Sequence, residues 1–541
     1  MTYGIWSLLP PLVAIVLAMV TRRVVLSLGV GVFVGALILS GGNPLLATAR
    51  SLESYLWKSL ADEQHLRVFA FTLLMGAMIG VIHRSGGMHG IVDRLAPWAR
   101  NRRGGQLLTW SLGLVVFIDD YANSLLLGNT MRPLTDRLRI SREKLAYLVD
   151  STAAPVSGLA LISTWVAGEI GSIEEGFRQL SGSPPDIDGL AYFVETIPYR
   201  FYVLWSLLLV PLVALLGRDF GPMLAAERRA MGGDVSGRLK DDQAPDSLAG
   251  PNAGKPRRWS NAAIPVLVTV VVVIVLLVMT GRKELADSPP TENLLLYTIG
   301  SGDSYLALVY GSLAGLVVAS GLAWGQSLLT IVEIRQAAAQ GARLVVPALI
   351  ILWLAWAVSQ ITDEKHLGTA VFLGGLLQGA IDLRWMPTVV FVIASLVAFS
   401  TGTSWGTMLL LMPIVIGVTF EMLTNSTVSA AGDPLLVAAV GSVLAGSIFG
   451  DHCSPISDTT VLSSQASGCH HVEHVRTQLP YALSVAAVSI LCGTIPVGFG
   501  VSVWFVLPVG SLVLIGLLLL AGQPVEAESR AAVTAKSGRG E

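Results

Sequence analysis

Nine runs of apolar residues dominate this chain: 5–20, 24–40, 67–82, 199–216, 261–280, 304–323, 344–360, 477–499 and 503–522. Each is close to the roughly 20 residues that carry a helix across the hydrocarbon core of a bilayer. Backbone at that depth has no water to bond, so a segment that crosses must satisfy its own peptide groups, as a helix does. Four further stretches, 105–131, 144–168, 385–417 and 434–464, are apolar but interrupted. These features predict an all-α polytopic membrane protein.

Composition agrees. Of 541 residues, 53% are hydrophobic and only 13% are charged, against about a quarter charged in an ordinary soluble domain. A formal charge of −2 leaves no footprint for nucleic acid. Three cysteines, Cys453, Cys469 and Cys492, are too few and too scattered for a disulfide framework. The first apolar run lacks a basic region ahead of it and a small-residue cleavage site after it, so it reads as a span and not a signal peptide.

Lys and Arg set the expected orientation. Arg22 and Arg23, then Arg84 to Arg103, then 132–144, then 217–258 carry the basic clusters, and all fall on one side if the spans alternate. That side is expected to be cytoplasmic. Residues 169–197, with Glu169, Glu174, Glu175, Asp186, Asp188 and Glu195, are expected outside. The amino terminus is then external and the carboxyl terminus internal. The expected organisation is a first transmembrane half over 1–216, a cytoplasmic linker over 217–259, a second half over 260–500, an extra helix over 501–522 and a disordered tail over 523–541. Within the linker, 228–258 lacks periodicity and reads as flexible.

Segment 105–131 has basic clusters at both ends and Phe117-Ile-Asp-Asp-Tyr-Ala-Asn123 in its middle. A straight span would strand one basic cluster outside. A re-entrant hairpin with its tip near Asp119 and Asp120 keeps both inside, and it is favoured over one long kinked helix.

The two halves repeat each other. Gly31 and Gly35 align with Gly311 and Gly315, and Asn123-Ser124 with Thr403-Ser404, both at an offset of 280. Pro155 and Ser157 align with Pro455 and Ser457 at 300, and Pro198-Tyr199 with Pro480-Tyr481 at 282. The expected orientations of matching segments are opposite, so the expected plan is two inverted-topology repeats, with re-entrant hairpins and broken transmembrane helices meeting near the midplane.

The interruptions hold the candidate site. In 450–464, Asp451 and Asp458 flank Pro455, which removes a helix hydrogen bond and frees carbonyls. Ser454, Ser457, Thr459 and Thr460 add hydroxyls. Carboxylate, hydroxyl and carbonyl oxygens are what a hard cation takes in place of its water. The first half offers Asp150 with Ser151 to Ser157 around Pro155. Its hairpin offers Asp119, Asp120, Asn123 and Ser124; the second hairpin offers Thr403 and Ser404 and no charge. Adjacent aspartates diverge by about 100° on a helix, so one of Asp119 and Asp120 faces the cavity, and Asp120 is preferred. His452, beside Asp451, fits either a proton relay or helix packing.

Other patterns carry less. Gly402-Thr-Ser-Trp-Gly406 matches the nucleophile-elbow spacing but lacks the strand-to-helix setting that motif needs. The small-xxx-small pairs at Gly31, Gly76 and Gly311 read as close helix packing. His470, His471 and His474, next to Arg476, read as a cytoplasmic helix flank in preference to a metal site. Nothing resembles a nucleotide-binding loop, and no enzyme is expected.

Gly450-Asp-His-Cys-Ser-Pro-Ile-Ser-Asp-Thr-Thr460 strongly resembles the signature of NhaC-type sodium/proton antiporters, as do Phe117–Asn123 and Ser151–Pro155. The resemblance spans roughly 5–500. It implies an ion-transporter fold with inverted repeats in a prokaryotic plasma membrane, with Na+ (or Li+) and H+ as the transported ions and no cofactor. It is compatible with a homo-oligomer. Members of the broader family also exchange organic solutes such as malate for lactate with ions, so a solute exchanger is the alternative.

Overall fold

The computed structural model of the chain describes residues 3–21, 23–95, 97–117, 120–160, 163, 165–178, 180, 187, 189–237, 255–285, 298, 302–362, 365–368, 372, 381–424 and 432–525. Among these, eight helices are long and apolar enough to cross a membrane: 65–84, 260–284, 305–325, 383–401, 404–423, 434–453, 471–498 and 503–520. Two bent pairs add to them, Val25–Leu39 with Pro44–Ala61 at 120° and Ala191–Tyr199 with Phe201–Leu216 at 58°. The protein is an all-α, multi-pass membrane protein.

Burial sorts the helices by position. The window in Pro434–Cys453 is 83% buried inside the protein, whereas those in Ser260–Glu284 and Val503–Leu520 are 28% buried. A helix that is apolar all round must be covered by protein or by lipid. The first is therefore central. The other two present residues such as Leu267, Trp504 and Leu520 outward.

The helices approach closely where glycines allow it. Helices Glu63–Arg84 and Ile331–Thr362 cross at Gly76, Gly80, Ala337 and Gly341. A Cβ on Gly341 would lie 2.1 Å from the Gly76 carbonyl oxygen, and one on Gly80 would lie 2.2 Å from that of Ala337. Gly35 meets Ile361 and Gly315 meets Thr269 in the same way. The packing role expected of these small-residue pairs is what the structure shows.

The first interrupted segment is a hairpin. Arg102–Val115 and Asp120–Arg137 are separate helices. The Arg102 guanidinium, at the start of the first, donates to the carbonyl of Arg139, just past the end of the second. Both ends therefore lie together, which a single kinked helix cannot achieve. The second interrupted segment turns back too. Met386–Thr401 ends at Gly402 in the left-handed region, φ 72°, and Ser404–Thr424 follows. The first of these helices runs alongside Pro434–Cys453, with Gly446 against Phe391 and Gly450 against Ser395. The second also packs on Pro434–Cys453, which it reaches only by reversing direction.

The linker holds more structure than its sequence suggested. Gly221–Met231 is a helix that buries Met223, Leu224, Ala226, Glu227 and Ala230. Residues Arg218–Asp219 pair antiparallel with Gln523–Pro524, so the start of the expected tail is also ordered. Residues 238–254 and 526–541 lie outside the described residues. The helix packs against Arg142–Asp150 and His471–Val488. Glu227 accepts from the Ser141 amide and pairs with Arg102, and Arg229 pairs with Glu143.

The Gly76/Gly341 crossing yields a test. Gly341→Val should force the two helices apart and cost about 1–3 kcal/mol. The expected result is a lower midpoint of thermal unfolding in detergent, with Gly321→Val, where nothing lies within 4 Å of the added carbon, close to the parent.

Candidate functional site

The candidate site gathers around one short helix. Pro434–Cys453 stops just before Pro455, and the chain restarts as Asp458–Ser467 with Ser457 as its N-cap. This helix packs against Asp120–Arg137 and Arg142–Asp150 from the first half. A Cβ on Gly128 would lie 2.6 Å from that of Ala466, so the contact is a close one. The broken helix of one half is thus wedged against the hairpin and broken helix of the other.

Three aspartates join this network. Asp451 is fully buried and accepts a hydrogen bond from Thr459 Oγ1 at 2.9 Å on Oδ2. Its Oδ1 is buried with no partner among the described residues. Asp458, in the first helical turn, accepts from the Tyr121 hydroxyl and, at 2.8 Å, from the Thr459 amide. Asp150, the last residue of its helix, is fully buried. It accepts from Thr460 Oγ1 and Ser463 Oγ, each at 3.2 Å, and from the Gln478 side-chain amide. Ser457 and Thr459 hydroxyls lie 3.1 Å apart, and those of Ser124 and Ser463 lie 3.2 Å apart.

Histidines complete the network. His452 Nε2 lies 3.1 Å from the Asp150 carbonyl and its Nδ1 lies 3.1 Å from the Tyr202 hydroxyl. It touches the Asp150 backbone, not its carboxylate. His474 is fully buried, with Nε2 3.9 Å from Asp150 Oδ2 and 2.9 Å from Gln478 Oε1. His471 Nε2 is 2.7 Å from the Pro455 carbonyl, and its Nδ1 is 3.0 Å from Ser464 Oγ. His471 and His474, expected as a helix flank, lie at the start of the helix His471–Val488 and within this network. Their spacing of three, with Gln478 four beyond, places all three on one helix face. That periodicity was the available signal, masked by the neighbouring Glu473 and Arg476.

The other candidates divide. Asp120 is buried at the start of its helix and accepts from the Trp165 indole at 3.1 Å; Asp119 lies outside the described residues. Asn123 is a clamp: its amide nitrogen reaches the carbonyls of Gly113, Val116 and Thr152 at 2.8–3.0 Å, which fastens the hairpin to the loop before Pro155. Ser157, in the short helix Ala154–Ser157 that Pro155 opens, is buried with its hydroxyl unpartnered among the described residues. Ser454 bonds the Phe399 carbonyl at 2.9 Å and so ties the second hairpin to the Pro455 break. Thr403 caps the following turn and, with Thr401 and Thr407, lines a cavity of about 500 Å³ that Lys58, His65 and Gln360 also line. Ser404 is buried at the start of its helix. Thr403 and Ser404 are not in hydrogen-bonded contact with the aspartates among the described residues.

Arg200 is a functional-site neighbour that the sequence did not single out. It is fully buried, pairs with Glu169 at 3.0 Å and donates to the Gly158 carbonyl beside Pro155.

The chemistry that fits is reversible binding of a hard cation or protons. The inner residues supply carboxylates, hydroxyls and freed carbonyls. Among the described residues no three His, Cys, Asp or Glu side chains gather tightly enough to hold a resident metal. The carboxylates are spread along the network instead of caging one point. Buried negative charge in a helix break has to be met by protons or by a cation, and the orphaned Asp451 Oδ1 leaves one position for either.

The site belongs to a transport protein, and comparison with known proteins gives its class. The model of the Na+/H+ antiporter family matches residues 159–498. An uncharacterised protein of Haemophilus influenzae is 32% identical over 502 residues, 92% of this chain and 91% of that protein. A second protein of that organism, named an uncharacterised Na+/H+ antiporter, is 34% identical over 118 residues, 21% of this chain and 23% of its own length. The malate-2H+/Na+-lactate antiporter of Bacillus subtilis is 35% identical over 108 residues, 20% of this chain and 21% of its own length. The chain belongs to the Na+/H+ antiporter family and is an ion-coupled antiporter.

The clamp at Asn123 generates a prediction. Asn123→Ala leaves the Gly113, Val116 and Thr152 carbonyls without their donor, at about 1–3 kcal/mol for an unsatisfied buried group. Thermal stability in detergent should fall accordingly. A variant as stable as the parent would show that the hairpin is held by other contacts.

Proposed function

We propose that the chain exchanges Na+ for H+ across a prokaryotic plasma membrane, with Asp451 and Asp458 at the centre of the cation site. The observation that carries this is the buried Asp451 carboxylate in a helix break, one oxygen unpartnered, with Thr459 linking it to Asp458. The cation and the proton compete for the same oxygens. A bound proton must leave before Na+ enters, so apparent Na+ affinity rises with pH through the range where the site titrates. Li+, a smaller hard cation, is the natural second substrate. Asp120 ranks with the two central carboxylates, and Asp150 and Asp119 stand behind the three.

Two further parts belong to the same reading. The first is inverted repeats. It is supported by reciprocal packing: Val24–Leu39 packs on Ile331–Thr362, while their repeat counterparts, Ser304–Gly325 and Glu63–Arg84, pack on each other. The second is orientation. Arg102, Arg139, Arg218 and Arg229 gather at one end with the 221–231 helix, which supports a cytoplasmic assignment for that end. Cysteines at Ser236 and Glu195 test it with an impermeant reagent on intact cells. Glu195→Cys should label and Ser236→Cys should not; the reverse pattern inverts the assignment.

A specific observation favours the alternative, an ion-coupled exchanger of a small organic solute. The cavity at the second hairpin is about 500 Å³, far larger than a bare cation needs; Lys58, Asp62 and His65 line it, with His65 3.8 Å from Asp62. Arg200, which reaches the Gly158 carbonyl, is already paired with Glu169 and so supports an anion site less.

The deciding experiment uses purified protein in proteoliposomes. An imposed Na+ gradient should move protons with no organic solute present. A strict requirement for malate, lactate or another solute would replace this reading with the alternative. Within the same assay, Asp451→Asn and Asp458→Asn remove a charge while keeping a carbonyl oxygen. A carboxylate that carries both ion and proton loses exchange on this change, and one that only shapes the site keeps exchange at weaker Na+ affinity. If both variants retain the parent rate, affinity and pH profile, the motif is structural and the site assignment is wrong.

A further inference from the structure

A second cavity lies on the opposite flank of the first hairpin, away from the carboxylate network. It measures about 590 Å³, and its wall is mostly apolar. One wall is the hairpin itself, with Leu112, Val115 and Val116 near its tip. The other is the helix Ser260–Glu284, through Val266, Leu267 and Val270. This helix and the hairpin hardly touch; the cavity is the gap between them. Val115 is 68% exposed and Leu267 is 62% exposed, so both walls lack a cover.

The cavity has a direction. From Trp259 to Val273, both of which line it, a helix rises about 21 Å. That exceeds half of a bilayer core of about 30 Å, so the groove runs from an interface to the midplane. Its one charged lining residue is Arg94, at the same end as Trp259. Trp98 is 79% exposed nearby in the chain, and Lys255, Arg257 and Arg258 immediately precede Trp259. Tryptophan and Lys or Arg at one end of an apolar groove are the features that seat a lipid at the headgroup level. Asp93 adjoins Arg94 and is the carboxylate closest to it in sequence.

We propose that this groove binds a glycerophospholipid with an anionic headgroup, one acyl chain lying between the hairpin and Ser260–Glu284 and the phosphate meeting Arg94. An empty apolar gap at membrane depth forfeits dispersion contacts along both walls. Water does not fill it, since water needs polar partners. An acyl chain is the filler a bilayer supplies. Residues 238–254, which precede the basic end, contain no apolar run that could lie along the groove. The lipid would brace the outer side of the element that carries Asp120 and Tyr121, which are on the hairpin's second helix. The proposal stands whether the antiporter takes Na+ alone or Na+ with a solute.

The test is native mass spectrometry of the full chain, released from detergent after titration with phosphatidylglycerol or phosphatidylcholine. The parent should retain phosphatidylglycerol about fivefold better, as one well-placed basic residue implies. Leu267→Trp and Val115→Trp fill the groove from opposite walls at exposed positions and should each reduce the retained lipid. Arg94→Gln should keep lipid binding but lose the headgroup preference. If both tryptophan variants, eluting as the parent does, hold as much lipid as the parent, the groove is not the site. Equal retention of the two lipids by the parent overturns the anionic headgroup. A parent that binds neither lipid but elutes as a dimer, which the tryptophan variants break, shows that a second copy of the chain fills the groove instead.

Discussion

Asp150 and Asp451 are fully buried in a protein that spans a membrane, and the cost of holding them there organises what surrounds them. A carboxylate at membrane depth is expensive, so each is met by neutral donors: Thr459 for Asp451, and Thr460, Ser463 and Gln478 for Asp150. No Lys or Arg pairs with either among the described residues. A fixed cation would neutralise the site permanently. Hydroxyls and an amide stabilise the charge partially and leave the remainder for an ion that comes and goes.

The same cost applies to the backbone that the breaks set free. A helix that stops inside a membrane exposes carbonyls that must be satisfied by protein. Here particular side chains do so. His471 reaches the Pro455 carbonyl, Ser454 the Phe399 carbonyl and Gln478 the His452 carbonyl. Asn123 reaches three carbonyls at the first hairpin, and Arg200 reaches that of Gly158. The polar residues near the breaks therefore have two trades, some holding freed backbone and some facing the exchangeable charge. Asn123 and Ser454 belong to the first. Asp451, Asp458 and Thr459 belong to the second under the proposed cation site.

What the sequence made legible follows from which signals are local. Spans, hairpin and breaks were readable, because an apolar run, a basic cluster at each end of 105–131 and a proline between aspartates each act where they stand. The two trades were not readable. Asn123 beside two aspartates looks like a ligand, and only its distance to Thr152 shows a clamp. His471 and His474 read as a polar flank because the neighbouring Arg476 carries the stronger signal, and Gln478 was absorbed into the apolar run 477–499. Arg200 follows the acidic stretch 169–197, and its partner Glu169 is 31 residues away. The 221–231 helix was missed because Gly, Pro and Asp on either side outweighed its short apolar face of Met223, Leu224, Ala226 and Ala230.

The distribution of bond types indicates where the molecule can move. Helix Arg142–Asp150 is fixed at its first turn by ionic contacts: Lys144 with Asp219, which also accepts from Tyr481, and Glu143 with Arg229. Breaking a buried pair of this kind leaves an uncompensated charge, at roughly 3–5 kcal/mol. At its other end Asp150 meets the helix Asp458–Ser467 only through hydroxyls, each worth about 1.5–3 kcal/mol to a charged acceptor. Tyr121 with Asp458 and Ser124 with Ser463 join the hairpin to that helix in the same currency. Hydroxyls can rotate to a new acceptor, and a proton or a cation arriving at the carboxylate replaces what they give up. A change of access that slides Asp458–Ser467 against the first half would therefore break the bonds that ion exchange itself compensates, and would leave the ion pairs that anchor Arg142–Asp150 intact. Such a slide would couple movement to the occupancy of the proposed site without any further device.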